Sequence, residues 1–331
     1  MLPRSTRREF LARVGATAAG AALWPRPLSA GGDEAGKPKA RVAIARDDAL
    51  TTGRVAEHAD LVRKLLDASM QKLTGAPNAA TAWRQFFGKK DRVGIKVNTL
   101  GLSTQPAVVD AIVAGLGAAG VPAENITIWD RFDVELAAAG FNLNKSRSGV
   151  QCRGTDAERI GGGYQGDIES NGHIGSCFSR IVADDVNALI CVPVLKDHNL
   201  AGVSLGMKNF YGAIHNPNKY HDHNCDPYVS DVVSHRFIGP KWRLTVCDAT
   251  RGQYHAGPGR HAGFAWPFGG LIVSDDIVAA DAVGAELLDE KRRVEGLESL
   301  AAEKRPPKHI ATAGARGLGV ADLSRIERIE V

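Results

Sequence analysis

None of the five cysteines stands in a C-x-x-C pair. Zinc ribbons and iron–sulfur proteins hold their metals with closely spaced cysteines of that kind. We therefore expect neither a zinc ribbon nor an iron–sulfur cluster. Because the count is odd, at least one cysteine is unpaired unless it bridges to another chain. The five are Cys152, Cys177, Cys191, Cys225 and Cys247.

The sequence also lacks an apolar run long enough to cross a bilayer, which takes about 20 residues. The N-terminal apolar run, residues 14–23, is short and diluted with Ala and Gly. It lies between a basic start and the small residues "LSA" that end at Ala30, which is the order of an export signal. We therefore predict that residues 1–30 are a signal peptide. After its cleavage, no stable membrane insertion is expected.

Two adjacent arginines indicate the type of signal. Arg7 and Arg8, followed by Phe10 and Leu11, resemble the twin-arginine signal, which sends folded proteins across the bacterial inner membrane. The resemblance implies a periplasmic protein, with the twin-arginine export machinery as a partner. Residues 31–40 are interpreted as a linker.

An excess of charge is absent from the mature chain. The whole sequence carries 41 basic and 37 acidic residues, a formal charge of +4. The leader holds five of these arginines and one glutamate, so 36 basic and 36 acidic residues remain. Nucleic-acid-binding domains usually show a clear positive excess. We therefore expect no nucleic-acid partner.

No internal repeat interrupts residues 41–331. Short β-branched runs alternate there with helical patterns, which predicts an α/β fold with a mainly parallel (mixed) sheet and helices on both faces. We expect one compact domain, or two lobes over 41–148 and 149–331. Residues 149–180 carry no clear prediction, and 323–331 are either a strand or a short helix end. The predicted strands are 41–47, 92–98, 125–130, 187–197, 243–249 and 269–276, and the predicted helices are 52–73, 107–120 and 277–293.

Charged and polar residues stand at the ends of the predicted strands. In open parallel sheets, ligands bind outside the carboxyl ends of the strands, where loops and helix N-termini converge. A single polar residue there only marks where a strand meets solvent, but five such ends together favour a small-molecule site. These ends are Lys96 and Asn98, Asp130 and Arg131, Lys196 to His198, Asp248, and Asp275 and Asp276.

Three segments share features with a known family. They are "VPVLKDHNLAGVSLGMKNFYGAI" (192–214), "LTVCDATRGQYHAGPGR" (244–260) and "GGLIVSDDIVAADAVGAELL" (269–288). With Lys196 and His198 after an apolar strand, the Lys208-Asn209 pair and Asp248, the chain resembles the bacterial and archaeal domain of unknown function 362. The resemblance covers nearly all of 41–290 and implies no established activity. Some members carry a ferredoxin-like segment with four closely spaced cysteines, which this sequence lacks.

Histidines are concentrated in one part of the chain, since seven of the ten fall between residues 198 and 261. In "NPNKYHDHNCDPY" (216–228), His221 and His223 are two positions apart and can reach one ion, with Cys225 or Asp226 as a third ligand. Imidazole and carboxylate ligands suit a divalent transition metal. No H-E-x-x-H signature is present, and Asn, Asp and His are also ordinary turn residues. The pattern suggests a metal site without defining one.

A second interpretation needs no metal. Cationic side chains at strand ends and in adjoining turns can hold a phosphate or a carboxylate. If the Gly-rich run before the Lys208-Asn209 pair opens a helix, its N-terminal amides would also bind an anion. His198 would then act as general acid or base, with its pKa set by neighbours such as Asp197. The cationic residues are Lys96, Arg131, Lys196, Lys208 and Arg251.

A third interpretation is a serine hydrolase. "GVSLG" (202–206) satisfies the G-x-S-x-G pattern around Ser204, and Asp248 and either His255 or His261 follow in the expected order. The nucleophile elbow needs a strand that runs straight into the motif, whereas "KDHNLA" intervenes here. The glycine-rich "IGGGYQG" (160–166) lacks the G-x-G-x-x-G order of a dinucleotide site.

The preferred hypothesis is an exported enzyme that acts on a small anionic molecule with a divalent transition metal, because the predicted site mixes acids, bases and imidazoles. The alternatives are a metal-free protein that binds a small anion, and a serine hydrolase that uses Ser204. The predicted catalytic residues are Lys196, His198, Lys208, Asn209 and Asp248. The predicted ligand-binding residues are Lys96, Asn98, Asp130, Arg131 and Arg251. The predicted metal ligands are His221, His223 and Cys225.

Overall fold

Apolar runs rich in Val and Ile form the central strands of one sheet, because such side chains pack well on a pleated surface that is buried on both faces. The structure is a computed structural model that describes residues 40–157 and 162–331. A large mixed sheet contains β1 (Ala40–Arg46), β2 (Val93–Lys96), β3 (Ile126–Asp130), β4 (Gln151–Gly154), β7 (Ala188–Cys191), β8 (Val194–His198), β9 (Gly202–Val203), β10 (Trp242–Gln253), β11 (Ala265–Trp266), β12 (Gly270–Ser274) and β13 (Ile326–Glu330). A separate antiparallel pair is formed by β5 (Glu169–Asn171) and β6 (Ile174–Ser176).

The order of the strands brings several carboxyl ends to one edge. The main path of the sheet is β13-β1-β12-β10-β7-β2-β3-β4. From β10 to β4 each neighbouring pair is parallel, so these strands end at the same edge. β8 is parallel to β10 and ends toward that edge as well. The predicted α/β class with a mainly parallel, mixed sheet is confirmed.

Helices cover both faces of the sheet. The α-helices are α1 (Ala59–Thr74), α2 (Ala79–Arg84), α3 (Pro106–Ala119), α4 (Asp133–Ala138), α5 (Gly206–Asn209), α6 (Tyr228–Ser234), α7 (Ile277–Val294) and α8 (Lys308–Ala315). Alternate residues of a strand point to opposite faces. Accordingly, Val42 of β1 belongs to the apolar cluster that contains residues of α6, α7 and α8, whereas Ala43 belongs to the cluster that contains residues of α1, α2 and α3.

Short helical turns connect these elements. One is a π-helical turn, Ile181–Asp185. The 3₁₀ turns are Asp48–Thr51, Val55–His58, Ala123–Asn125, Phe210–Ala213, Pro217–Tyr220, His223–Cys225, Ala262–Phe264 and Leu323–Arg325.

Local signals explain where the predicted helices begin and end. α1 starts later than predicted because residues 55–58 form a 3₁₀ turn. It stops at Gly75, which adopts a left-handed φ of 71° and donates its N–H to Gln71 O. α3 begins at Pro106, whose missing N–H costs nothing in a first turn, and stops at Gly120 with a φ of 91°. Glycine suits both ends because it has no Cβ to clash in this conformation.

Two strand predictions need correction. The strand predicted over 187–197 is two strands, because Pro193 has no amide hydrogen with which to continue the ladder. In addition, β12 is antiparallel to β10. Asp275 and Asp276 therefore lie at the opposite edge from the other charged strand ends. There Asp276 accepts a hydrogen bond from Ala279 N at 2.9 Å and caps α7.

The remaining expectations concern the less regular parts of the chain. Residues 149–180, which carried no prediction, contain β4 and the β5-β6 pair. The C-terminal segment forms a strand, β13, parallel to β1. The predicted signal peptide lies outside the described residues. Among the helices of the described residues, none is both long and apolar enough to cross a membrane.

Candidate functional site

The polar ends of β2, β3 and β8 border a cavity at the carboxyl edge of the sheet, with a volume of about 520 Å³. Of the predicted site residues, it is lined by Lys96, Asn98, Asp130, Arg131, His198, Lys208, Asn209 and His221. The other lining residues are Leu100, Phe132, Glu135, Asn199, Leu200, Ser204, Tyr211, Gly212, Pro217, Asn218 and Pro258. The structure thus brings together residues that are more than a hundred positions apart in the sequence.

Lys96 and Asp130 form a buried ion pair beside this cavity. They end the adjacent parallel strands β2 and β3. Lys96 Nζ lies 2.7 Å from Asp130 Oδ1. It also donates to Asn209 Oδ1 at 3.1 Å and to Val97 O at 2.5 Å. An ammonium group has three hydrogens, so the protein itself uses the full donor capacity of Lys96.

Both carboxylate oxygens of Asp130 also accept hydrogen bonds from the protein. Its Oδ2 accepts from N and Oγ1 of Thr99, both at 2.9 Å, and its Oδ1 accepts from Arg131 N at 2.8 Å. The turn over residues 210–213 packs closely against the ion pair. A Cβ at Gly212 would lie 2.8 Å from Lys96 Cε and 3.0 Å from Asp130 Oδ1. Lys96 and Asp130 therefore join two strands, a loop and a turn.

Lys196 fastens the loop that follows β2 and does not itself line the cavity. Its Nζ donates to Asn98 Oδ1 at 2.8 Å, to Leu100 O, and to Leu102 O at 3.1 Å. Burial lowers the pKa of Lys196 to about 7, although the nearby Asp130 favours its ammonium form. The geometry makes Lys196 a positioning residue, because Asn98 and Leu100 form part of the cavity wall.

Lys208 of α5 lines the cavity, and its ammonium group has fewer hydrogen-bond partners among the described residues than the ammonium groups of Lys96 and Lys196 have. Its side chain is buried, and Nζ lies 3.1 Å from His221 Nε2 and 4.3 Å from the centroid of the Tyr211 ring. In the described part of the chain, its contacts include no carboxylate. Burial lowers the pKa of Lys208 to about 8. Of its three hydrogens, one points to His221, and two remain for a ligand.

His221 has a defined tautomer. Its Nδ1 lies 3.0 Å from Pro217 O. A carbonyl oxygen only accepts, so Nδ1 carries the hydrogen and the neutral ring presents the lone pair of Nε2 to Lys208. Burial, and then the charge of Lys208, lower the pKa of His221. Near neutral pH this ring is therefore an uncharged acceptor.

His198 at the end of β8 has the opposite tautomer. Its Nδ1 accepts from Leu200 N at 3.1 Å and from Ala201 N at 3.2 Å, so its hydrogen is on Nε2. Burial, and then the charge of Lys208, lower the pKa of His198 to about 2. The ring stacks on His221 with a centroid separation of 5.6 Å. His198 is thus a neutral hydrogen-bond donor at the cavity.

Asp197 has a different role from the one expected of it. Rather than contacting the His198 ring, it pairs with Arg305 at 2.7 Å and accepts from Gly257 N, also at 2.7 Å. Arg305 donates in addition to His198 O at 3.1 Å. Asp197 and Arg305 therefore hold the end of β8 in place, and burial sets the pKa of His198.

The N-terminal amides of α5 are not available to an anion, which corrects another expectation. Asp281 of α7 accepts from Gly206 N at 2.7 Å and from Met207 N at 2.9 Å. Burial raises the pKa of Asp281 to about 7. Asn209 at the other end of α5 is also used internally, since its Nδ2 donates to Lys96 O at 3.2 Å.

Among the predicted catalytic and ligand-binding residues, Asp248 and Arg251 lie outside the cavity lining, as Lys196 does. Asp248 is buried in β10, where it accepts from Gln105 N at 2.7 Å and from Thr250 Oγ1 at 2.6 Å. Arg251 donates to Leu50 O at 2.6 Å and to Gly53 O at 3.0 Å. Both side chains tie the central strand to neighbouring loops.

The three predicted metal ligands do not converge. His221 uses both ring nitrogens, on Pro217 O and toward the cationic Lys208. The side chain of His223 is 76% exposed, whereas Cys225 is buried. His223 and Cys225 have φ values of 50° and 60°, so the turn lacks the extended backbone that would align positions two apart. In residues 40–157 and 162–331, no cluster of three or more His, Cys, Asp or Glu is placed to hold a metal. The three side chains therefore do not fit a shared ion.

Asp248 and His255 do not form a catalytic triad with Ser204. The residue follows the two-residue strand β9, which is antiparallel to β8, whereas the elbow follows a parallel strand. Asp248 is bonded to Gln105 and Thr250, and His255 Nδ1 lies 3.2 Å from the Arg292 guanidinium. Ser204 does line the cavity, so its hydroxyl can contact a ligand there.

Several residues that shape the site were missed from the sequence. Tyr211 lies inside the segment that carries the family resemblance, so its position next to the Lys208-Asn209 pair was a usable signal. Gly212 lies in the same segment, whereas Glu135 and Arg305 offered no comparable signal, because their contacts depend on which loops pack together. An oxygen of the Glu135 carboxylate lies 3.2 Å from Thr99 Oγ1 at the cavity wall.

A family model described as Domain of unknown function (DUF362) matches residues 93–286, which is more than half of the chain and includes all the predicted site residues. No curated protein and no solved structure matches the sequence.

Proposed function

The chain belongs to the family described as Domain of unknown function (DUF362), and we propose that it binds a small organic anion in the cavity at the carboxyl edge of its sheet. This is the metal-free hypothesis among those suggested by the sequence. The observation that carries it is the position of Lys208, a buried cation at the cavity whose contacts in the described chain include no carboxylate. Burying a charge without a partner is costly, so an anionic ligand would supply the negative charge that Lys208 lacks among its contacts with the described residues.

The other buried Lys and Arg side chains of the described chain have acidic partners, except Lys196, whose three hydrogens are taken by Asn98 Oδ1 and two backbone carbonyls. Lys96 Nζ lies 2.7 Å from Asp130, and an Arg305 nitrogen lies 2.7 Å from Asp197. The buried Arg292 pairs with Glu303 at 2.5 Å. Lys208 differs from all of these, and it also faces open space. The contrast favours a ligand role for Lys208 over a structural one.

Further donors surround the same space. Arg131 lines the cavity and donates to His215 O at 3.1 Å, which leaves other guanidinium hydrogens free for a carboxylate or a phosphate. The Nε2 hydrogen of His198 and the hydroxyl of Ser204 add two neutral donors. A cavity of about 520 Å³ lies within the range of about 300–1,000 Å³ that small-molecule sites occupy.

The ligand should also have an apolar part. Leu100 and Leu200 are 56% and 45% exposed, and both line the cavity together with Phe132, Pro217 and Pro258. Hydrocarbon on a ligand would remove water from these surfaces, which is favourable by about 25 cal/mol per Å² buried. An organic acid fits this combination better than an inorganic ion does.

Isothermal titration calorimetry on the mature protein tests the proposal with a panel of small carboxylates and organic phosphates. We expect binding that weakens by about tenfold to a hundredfold in Lys208→Met, since a hydrogen bond to a charged group is worth about 1.5–3 kcal/mol. Arg131→Met should show a smaller loss. Lys90→Met, which removes an exposed lysine, is the matched control. If Lys208→Met leaves every measured affinity unchanged, the cavity is not an anion site.

The proposal includes the place of action. We propose that residues 1–30 direct the folded protein to the periplasm, on the support of Arg7-Arg8, the short apolar run and the "LSA" site. A fluorescent reporter fused to residues 1–40 should be exported in a bacterial host, and replacing both arginines with lysine should stop its export. Export that survives the double replacement would contradict the twin-arginine route.

A further inference from the structure

Lys208 and His221 form an amine and base pair inside the proposed anion site. The Lys208 nitrogen lies 3.1 Å from Nε2 of His221, and the Nδ1 hydrogen of that ring is held by Pro217 O at 3.0 Å. The hydrogen on Nδ1 leaves the Nε2 lone pair directed at the ammonium group. One proton shift from Lys208 to His221 would therefore produce a neutral amine in the cavity, where it can act as a nucleophile.

The surroundings favour loss of a proton from Lys208. The side chain of Lys208 is buried and carries no ion pair with a carboxylate in the described chain, so little stabilises its charge. Against this, the face of the Tyr211 ring lies 4.3 Å from Nζ and attracts the ammonium form. Burial holds the pKa of Lys208 near 8, well below the ordinary range for lysine. A desolvated lysine of this kind is suited to attack a carbonyl carbon.

A hydrogen-bond donor for the carbonyl oxygen, His198, lies next to His221. His198 keeps its hydrogen on Nε2, because two backbone amides donate to Nδ1, and its ring stacks on His221 at 5.6 Å. A neutral imidazole can donate this hydrogen to an oxygen that gains negative charge. In the described chain, His198 Nε2 has no hydrogen-bond partner of its own.

The other buried lysines lack these features. All three hydrogens of Lys96 are used by Asp130, Asn209 and Val97. Lys196 is likewise used by one side chain and two backbone carbonyls, and it lies outside the cavity lining. Neither nitrogen has a free direction toward a substrate. Lys208 is the lysine that the geometry selects.

We propose that Lys208 forms an imine with a small carbonyl compound that carries an anionic group, the class that includes 2-oxo carboxylates. The proposal rests on the anion site proposed above. Lys208 first passes a proton to His221 Nε2, and the freed lone pair forms a C–N bond with the carbonyl carbon. The carbonyl electron pair moves to oxygen, which accepts the His198 hydrogen bond and takes back the proton that His221 holds. The nitrogen of this adduct then gives a second proton to His221, which passes it to the new hydroxyl group, and the C–O bond breaks as water leaves. Overall, an ammonium group and a carbonyl yield a protonated imine and one water, with no oxidant or reductant.

Reductive trapping tests this assignment. The mature protein is incubated with pyruvate and sodium cyanoborohydride, digested, and the modified lysines are identified by mass spectrometry. We expect labelling of Lys208 at least about tenfold faster than labelling of the exposed Lys90, because the buried amine is neutral in a larger fraction of molecules. Acetone, an uncharged carbonyl of similar size, should label Lys208 much more slowly than pyruvate. In His221→Phe, labelling of Lys208 should slow by about tenfold or more.

Calorimetry with pyruvate, without the reductant, separates the two proposals. Binding that is lost in Lys208→Met, together with Lys208 labelling no faster than Lys90 labelling, overturns the imine and leaves the anion site intact. Preferential labelling of Lys208 supports the imine, and it does so in the wild-type protein without relying on the folding of any variant. Equal labelling by acetone and pyruvate contradicts the requirement for an anionic group.

Discussion

Nζ of Lys208 and Nε2 of His221 lie 3.1 Å apart, and the hydrogen of that imidazole is held on its far side by Pro217. The contact therefore joins a hydrogen donor to a lone pair. Two uses of Lys208 follow from its protonation state. As an ammonium group it attracts an anion, and as a neutral amine it attacks a carbonyl. A buried lysine whose pKa lies near 8 supplies both forms close to neutral pH.

Anion affinity should fall as the pH rises through about 8. Burial lowers the pKa of Lys208 to about 8, so the ammonium group is present below that pH and is lost above it. Above the pKa, we expect the affinity for a simple carboxylate such as propanoate to fall by up to about tenfold per pH unit. Calorimetric titrations between about pH 6 and about pH 10 measure this, because propanoate remains ionised throughout.

The matched control for this pH dependence is Lys208→Arg. A guanidinium stays charged over the whole range, so any binding that the variant retains should change little with pH. A wild-type affinity that is constant across the same range would show that Lys208 is not the titrating cation.

Loss of either member of the Lys96–Asp130 pair should destabilise the fold by about 3–5 kcal/mol, because a buried charge is left unpaired. Urea unfolding of Lys96→Met and Asp130→Asn measures the free energy of unfolding. The double variant should lose less than the sum of the two single losses, since it leaves neither charge behind. Strictly additive losses would mean that the two side chains do not interact.

Gly212→Ala should destabilise the protein by about 1–3 kcal/mol and weaken ligand binding, because its Cβ would overlap the Lys96–Asp130 pair. Gly117→Ala in α3 is the control, since a Cβ there meets nothing within 4 Å. That change should stabilise the helix by about 0.5–1 kcal/mol. Thermal unfolding compares the two variants, and a shift of the same sign in both would refute the steric argument.

Much of the fold could be predicted because its signals are local. Runs such as "VGIKVN" (93–98) and "NITIWD" (125–130) are strands by composition, and Gly75 and Gly120 mark helix ends by their conformational freedom. The break at Pro193 was predictable from its missing hydrogen. The reversed direction of β12 was not, because no local pattern states which neighbour a strand will pair with.

The site could be predicted in part from the predicted strands. The strand ends Lys96, Asp130 and His198 meet at one edge because parallel strands share a direction. The pairing of Asp197 with Arg305 joins residues 108 positions apart, and nothing in either segment specifies the partner. The alternation expected of His221 and His223 fails because neither residue is extended: His221 has φ and ψ of −111° and −4°, and His223 has a φ of 50°. Spacing predicts a shared direction only where the backbone is extended.

His309 of α8 should make the protein sensitive to acid. Its side chain is fully buried, and neither ring nitrogen has a hydrogen-bond partner in the described chain. Burial, and then the charge of Lys208, lower its pKa from 6.5 to about 3. Between these values the unfolded chain binds a proton that the folded protein does not. The stability due to neutral His309 is therefore present above about pH 6.5 and is lost progressively as the pH falls toward about 3.

In urea unfolding at about pH 7 and about pH 5, His309→Leu should lose less free energy of unfolding on acidification than the wild type. His261→Leu, a change at an exposed position, is the matched control and should behave like the wild type. An unchanged loss in His309→Leu would show that this residue is not a source of the acid sensitivity.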